Sequence, residues 1–444
     1  MYIYTLKTDN NLYTPFFISK KISNNKNYSF SKFIIRIATI AIALSLSVMI
    51  IASCFVNGFQ KEIENKIFGF WAHIHIQPYS VQKNISQRAV ASSLKPKFTG
   101  NKNIVHIQNN GSCGALIKTK EDFQGIILRG ADTDFYWSEF SKFIIEGKAL
   151  SPKKEGSSEP ILISNSIAKS LNIKLHDKVI LNFMSVPIKM KQCEVCGIYN
   201  SGLEEYDKQF AFVNMSMIQE QNHWGPDSVG GFEIFLDKKI IKHSKLKNYY
   251  LVLGSPFMSE DYYKSLLKNE IDHQVKEIGN AFTVSDLEVV SIQELEPNIF
   301  DWLLMQSSSE VIILTIMFLV AILNLATALL ILILERTNMI GILKSLGASN
   351  HFIRMIFIRQ GAILILKGLL IGNILGIGLC YLEQHYKFIK LSPESYYVSV
   401  APVDIDFMWI LGLNTITFIT CVISLLIPSL LISKITPIKS IRFK

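Results

Sequence analysis

Charge is scarce in this sequence, and acidic charge is almost missing from three long stretches of it. Only 18% of the 444 residues are Asp, Glu, Lys or Arg, against 49% hydrophobic. Residues 1–58, 311–382 and 407–444 together hold 15 Lys/Arg but only two acids, Asp9 and Glu335. The net charge of +9 therefore belongs to these apolar segments, and the rest of the chain is slightly acidic. That distribution argues against a basic nucleic-acid face on a soluble domain and fits membrane topology instead. Signatures of catalysis are missing too. There is no G-x-x-x-x-G-K-[ST] phosphate loop, no G-x-S-x-G nucleophile turn, no H-E-x-x-H and no dense His/Asp/Glu cluster. The chain offers no candidate active site, metal site or cofactor site. Cysteine is sparse as well: of six, Cys54, Cys380 and Cys421 fall inside apolar runs, leaving Cys113, Cys193 and Cys196. That is no disulfide framework. The C-x-x-C of "KQCEVCGIY" sits in a strand-like alternation, which puts residues three apart on opposite faces, so no metal or redox role is expected of it.

What the sequence does have is four apolar runs long enough to cross a bilayer, which takes about 20 residues as a helix. Residues 1–36 form a leader carrying Lys7, Lys20, Lys21, Lys26, Lys32 and Arg36. The first span, 37–57, then reads as a retained signal-anchor with a cytoplasmic N-terminus. A competing reading takes "IASC" at Ile51 to Cys54 as a lipobox, but the apolar run continues past Cys54 and the leader is long. The second span, 311–334, is uncharged. The third, 362–382, contains Lys367, whose insertion would cost about 2.5 to 3.5 kcal/mol at mid-bilayer unless it snorkels to the headgroups. The fourth, 407–433, contains Pro428 near its end, where a kink is tolerated. Four crossings return the C-terminus to the cytoplasm. Arg336, Lys344, Arg354 and Arg359 in segment 335–361 and Lys434, Lys439, Arg442 and Lys444 in the tail 434–444 agree with the positive-inside rule. The opposite loop, 383–406, has two Lys against four acids.

Residues 58–310 are then expected to be stalks and an extracytoplasmic domain of mixed α/β type. "AHIHIQ", "GIILRGAD", "KVILNF" and "FEIFLD" read as strands; "SNSIAKSLNI" and the stripe Tyr263, Leu267, Ile271, Val275 read as helices. His73 and His75 share a strand face in this reading and are expected at the surface, with no third metal ligand nearby. "NGFQKEIENKIFGF" continues span one as an amphipathic helix through Phe59, Ile63 and Ile67, and "PNIFDWLLMQ" leads into span two from Pro297. Both spans thus project as stalks, and Val56, Phe59, Leu303 and Leu304 are the residues expected to flank a substrate path. Gly368, Gly372 and Gly376 recur every four residues as a ridge for close helix packing, either against a second copy or within the chain. Asn324 and Asn373 are expected to hydrogen-bond across helices, with a place on a translocation surface as the other possibility.

After Arg336 the apolar positions Met339, Ile342, Leu343 and Leu346 follow helical spacing, with Gly347 to end the helix and Ser349 to cap the next. From periodicity this is either a plain membrane-surface turn or a helix that docks on a soluble partner. "ERTNMIGILKSLGAS", followed by "IRQG" and the glycine ridge, resembles the cytoplasmic coupling segment of FtsX/MacB-type ABC-transporter permeases. "VNGFQKEI", "ILRGAD", "FIIEGKAL", "CGIYNSGLEEYD", "PNIFDWL" and "ITPIKSIR" extend the resemblance to nearly the whole chain and to the lipoprotein-releasing LolC/LolE branch. The resemblance implies a four-helix inner-membrane permease that is not itself an enzyme. It implies a second permease, alike or different, and a separate ATPase subunit that binds ATP and Mg. It further implies mechanical extraction of lipoproteins towards a periplasmic carrier. Glu335, Arg336, Ile340, Gly341, Ile342, Leu343, Lys344, Leu346 and Gly347 match the family's coupling motif. Met339 stands where family members commonly have an acid, and Lys367 departs from a neutral helix start. Export of another amphiphile, or cell-division signalling to an extracytoplasmic hydrolase, are the alternatives within the superfamily. Neither the lipoproteins carried nor any role for Cys113, Cys193 or Cys196 follows from the sequence.

Overall fold

The computed structural model describes residues 29–79, 88–95, 102–119, 122–151, 158–183, 189–237, 270–281 and 286–434. Lys7, Lys20, Lys21, Lys26, Tyr263, Leu267, Lys439, Arg442 and Lys444 lie outside them. Five helices carry the apolar runs: α1 (Ser29–Trp71), α2 (Pro297–Glu335), α3 (Thr337–Ser345), α4 (Asn350–Tyr386) and α5 (Phe407–Ser424). Among the described residues, four stretches are long and apolar enough to cross a membrane: Ile35–Trp71, Pro297–Glu335, Asn350–Tyr386 and Phe407–Ser433. α1 has 43 residues, or about 65 Å at 1.5 Å each, roughly twice the hydrocarbon thickness. Helix α4 begins at Asn350, so the second half of the expected cytoplasmic segment is the start of the third long helix. Past Ser424 the fourth run breaks into the short helices Leu426–Ser429 and Leu431–Lys434, because Pro428 has no N–H to continue the ladder.

The chain divides into two units. One comprises residues 1–58, 308–388 and 402–444, the other residues 59–307 and 389–401. In the first, Ile40, Leu44, Ile316, Leu323, Leu370, Ile374, Leu411 and Ile427 are large, apolar and exposed, as lipid-facing side chains are. The glycine ridge packs on this chain's own α1: a Cβ on Gly368 would meet Ile42, one on Gly372 would meet Ala43 and Leu46, and one on Gly376 would meet Ile50. The close contact that the ridge makes is therefore intramolecular. Asn373 and Asn414 exchange amide hydrogen bonds of 2.7 and 2.9 Å between α4 and α5, which satisfies two polar side chains in an apolar setting. Asn324 is half-buried on α2, and Lys367 is exposed on α4.

The second unit is built from strands β1 (Ile74–Pro78), β2 (Val90–Ala91), β3 (Ile104–Asn110), β4 (Ser112–Lys118), β5 (Phe123–Ala131), β6 (Ile144–Gly147), β7 (Glu159–Ser164), β8 (Lys178–Phe183), β9 (Lys189–Tyr199), β10 (Phe210–Asn214), β11 (Ser228–Val229), β12 (Gly231–Leu236) and β13 (Leu287–Ser291). One sheet has the order β13-β1-β12-β3 and is antiparallel throughout. The larger sheet runs β6-β9-β7-β10-β5-β4-β8, and β8 also pairs with β9, so six of its strands close into a barrel with β6 on the rim. Closure removes the exposed edges. The barrel interior is filled by Ala115, Ile117, Leu128, Ile161, Val179, Leu181, Val195 and Val213, with Cys113 and Cys193 among them. Opposite faces of β7 and β10 turn Leu162 and Phe212 into a second core, which also takes Ile63, Ile67 and Phe70 from α1 and Ile299, Phe300 and Leu303 from α2.

The register of β9 explains its cysteines. Ile161 pairs with Val195 and Leu162 with Gly197, so Cys196 is the extra residue of a bulge, which switches the inward face from Cys193 and Val195 to Ile198. Cys196 points the other way, to the second core, and its thiol donates to the Ile161 carbonyl at 3.3 Å. Burial pushes Cys196 up to about 11 and Cys113 up to about 12, which keeps both thiols protonated and unreactive at neutral pH.

Candidate functional site: the coupling helix and the stalk junction

The apolar run of α2 ends at Glu335, and Arg336 takes a non-helical conformation that lets the chain turn into α3. Gly347 ends the turn after α3 with φ at +87°, a left-handed geometry that favours glycine. Its N–H donates to Lys344 O and that of Ala348 to Leu343 O, each at 3.0 Å. Ser349 then caps α4, its hydroxyl accepting from Phe352 N at 3.2 Å. Thus the sequence-predicted end and restart fall at the residues expected for them.

Helix α3 has two faces. Ile340 and Gly341 are buried. Lys344 donates to the Ile432 carbonyl at 2.7 Å and Arg354 donates to the Ser433 hydroxyl, tying the elbow to the end of the fourth span. Ile342 and Leu346 are exposed by 53% and 65%, and Met339 and Leu343 are half-buried beside them. The nine sequence-predicted coupling residues therefore divide. Ile342 and Leu346 form the presented surface with half-buried Leu343 beside them, Ile340, Gly341 and Lys344 hold the helix, and Glu335, Arg336 and Gly347 define its ends. Whichever way the chain is used, an apolar helical face of this kind is suited to a groove on a partner.

In the second unit the C-terminal part of α1 and the first turns of α2 are packed together. Phe68 and Phe300 have ring centroids 6.2 Å apart, and Gln60 donates to the Leu303 carbonyl at 3.4 Å. Among the expected path residues, Leu303 is a core residue here and Phe59 packs against the same core, while Leu304 is half-buried. Val56, in the first unit, is half-buried. Lys66 donates to the Tyr397 carbonyl at 2.8 Å, which ties α1 to the 389–401 segment, itself closed by the Lys390–Val400 bridge. Beneath it, Asp207 accepts from Ser201 N at 3.2 Å, Ser201 Oγ at 2.7 Å and Gly202 N at 3.2 Å, which orders the "NSG" turn. Burial nonetheless raises the Asp207 carboxyl above its ordinary value, those hydrogen bonds pulling it partly back.

The end of α1 is held by a group that sequence reasoning passed over. Arg129, on β5, is buried; it donates to the Phe70 carbonyl at 2.7 Å and to Glu233 of β12 at 2.6 Å. Its guanidinium lies 4.4 Å from the Trp71 ring and between 5.3 and 5.4 Å from those of Phe70 and Phe212. Gln108 of β3 satisfies the other Glu233 oxygen at 2.6 Å. One ion pair therefore joins the last turn of α1 to both sheets, and the cation sits where the helix dipole favours it. The signal was a charge in the middle of two apolar strands, "GIILRGAD" and "FEIFLD".

His73 and His75 are buried, not at the surface as expected, and they do not form a metal pair. Ala72, with φ at +62°, turns the chain out of α1, so His73 precedes β1 and stacks on Phe68 at 4.2 Å while accepting from Leu236 N at 3.2 Å. His75 lies 3.9 Å from Glu233. Burial holds His75 below its ordinary 6.5; Glu233 pulls it up and Arg129 pushes it down. A neutral buried histidine binds fewer protons than the unfolded one, so its contribution to stability is intact above 6.5 and declines as pH falls from there. The melting temperature of the full-length protein is expected to drop between about pH 7.5 and about pH 5.5, and His75→Gln to flatten that drop, as read by scanning fluorimetry. An unchanged profile in the variant would remove His75 as the cause.

Among the described residues no cluster of three His, Cys, Asp or Glu could hold a metal. What the described residues do bring together is an exposed apolar face on a short helix and a clamped helix end. The MacB-like periplasmic core domain matches residues 37–239 and the FtsX-like permease C-terminal domain matches residues 311–437. The chain therefore combines an FtsX-like permease C-terminal domain with a MacB-like periplasmic core, the parts of an ABC-transporter permease. Over its whole length it is similar to the "Lipoprotein-releasing system transmembrane protein LolC" of Xylella fastidiosa, 23% identical over 94% of this chain and 95% of that one. It is likewise similar to LolE of Haemophilus influenzae, 23% identical over 96% and 98%. Among solved structures, the periplasmic region of MacB from Actinobacillus actinomycetemcomitans aligns at 14% identity and a TM-score of 0.33, covering 54% of this chain and 98% of that one.

Proposed function

We propose that this chain is the membrane subunit of a transporter that lifts lipidated proteins from the outer leaflet of the inner membrane and passes them to a periplasmic carrier. One observation carries the reading: the likeness to LolC and LolE extends through spans and α/β unit alike, over 94% and 96% of the chain. ATP and Mg are bound by a separate ATPase subunit, which docks on Ile342 and Leu346 of α3, and a second permease completes the assembly. The N- and C-termini are cytoplasmic, and the α/β unit is an extracytoplasmic insert between the first and second spans. Unbroken helices α1 and α2 are stiff enough to carry ATPase-driven movement. A lipid route along α1 at Val56 and Phe59, and along the start of α2 at Leu303 and Leu304, is part of this proposal.

Depleting the protein and fractionating the membranes tests it. Lipoproteins are expected to accumulate in the inner membrane as the protein is lost. Normal lipoprotein sorting would overturn the proposal, and an accompanying septation defect would point to signalling through an extracytoplasmic hydrolase instead.

A further inference from the structure

The ridge on α4 meets α1 in a fixed register. A Cβ on Gly368 would come within 2.7 Å of Ile42 Cγ2, one on Gly372 within 2.8 Å of the Ala43 carbonyl oxygen and 3.0 Å of Leu46 Cβ, and one on Gly376 within 3.1 Å of Ile50 Cβ. The partners advance by four residues on both helices, so the two helices run parallel and the next step pairs Cys380 with Cys54. Both residues lie enclosed at that step, 0% and 2% exposed. Both are reduced in the structure. We propose that Cys54 and Cys380 are a disulfide-forming pair, a modification site that covalently ties α1 to α4.

A disulfide needs Cα atoms within roughly 7 Å and Cβ atoms near 4 Å. Backbones that leave no room for a Cβ at Gly372 approach that closely, and the same register one step further along sets Cys54 opposite Cys380. The C-x-x-C spacing of Cys193 and Cys196 makes no such pair, since the bulge at Cys196 leaves those side chains in separate cores. Closure proceeds by exchange with an exchangeable disulfide of the oxidant. One cysteine sulfur attacks it and one oxidant thiol leaves; the second cysteine sulfur then displaces the other. Two S–H bonds are lost, one S–S bond forms, and the oxidant departs as two thiols carrying the two protons and two electrons. Because both sulfurs are enclosed by apolar helices, the oxidant must be small and apolar, such as dithiodipyridine.

The test uses the full-length permease in its membrane. After treatment with dithiodipyridine, denaturation and alkylation, wild type is expected to show two fewer alkylated thiols per chain than the reduced control. A reductant restores both, and peptide mapping joins the Cys54 peptide to the Cys380 peptide. Cys54→Ser and Cys380→Ser are each expected to prevent that cross-link, leaving the surviving thiol as a pyridyl adduct or alkylated. Full alkylation of Cys54 and Cys380 in oxidised wild type, or a cross-link joining either of them to any other cysteine or to a second chain, would overturn the pairing. The outcome is independent of what the permease transports.

Discussion

Aspartate at both Ile342 and Leu346 is expected to strip the permease of its ATPase while leaving it folded in the membrane. Both side chains are more than half exposed on α3, so the substitutions cost little in the isolated chain. In a docked complex each apolar side chain contributes about 1.5 to 3 kcal/mol when fully buried, and the introduced carboxylates would have to be desolvated as well. The combined loss corresponds to a weakening of at least about a hundredfold. Co-purification of the ATPase with the doubly substituted permease measures the first effect, and lipoprotein release from spheroplasts measures the second. Retained ATPase and undiminished release would exclude α3 as the docking element. Aspartate at Ile340 or Gly341 is a different experiment. Those residues face inward, so the expected damage there is to folding and abundance, and a null phenotype would say nothing about docking.

Arg129→Met is expected to destabilise the protein by about 3 to 5 kcal/mol, since it leaves Glu233 charged, buried and stripped of its cation. It also removes the donor that caps the end of α1 at Phe70. Arg129→Met combined with Glu233→Leu is expected to recover much of that loss, because two apolar groups of similar volume leave no uncompensated charge. Scanning fluorimetry of wild type, both single variants and the double gives the coupling between the two residues. A double variant as damaged as the sum of the singles would mean that the ion pair is incidental and that each residue acts through its other contacts.

Much of this molecule could be read along the chain because local pattern decides it. Four apolar runs announce four long helices, since a helix is the structure that satisfies its own backbone in lipid. Short apolar runs bounded by turn residues mark β5, β8 and β12, and Gly347 and Ser349 mark where α3 ends and α4 starts through capping chemistry that acts within a few residues. Resemblance of the "ERTNMIGILKSLGAS" segment supplied the coupling motif, but only its folded form separates Ile342 and Leu346, which face out, from Ile340 and Gly341, which do not.

Other features were hidden because they join distant parts of the chain. His73 and His75 look like surface residues on a strand until Ala72 turns the chain and buries both. Cys193 and Cys196 look like a pair until a bulge separates them, whereas the packing of α4 on α1 sets Cys54 opposite Cys380 in a register that only the fold shows. By itself the sequence determined the long helices, the end of α3 and start of α4, and the apolar strands β5, β8 and β12, since these depend on hydrophobic runs, charge and caps within a few residues. Tertiary structure alone decided the helix on which the glycine ridge rests, the burial of Arg129 against Glu233 and the face that α3 presents. Those depend on which distant surfaces exclude solvent together, and one-dimensional order does not encode that directly.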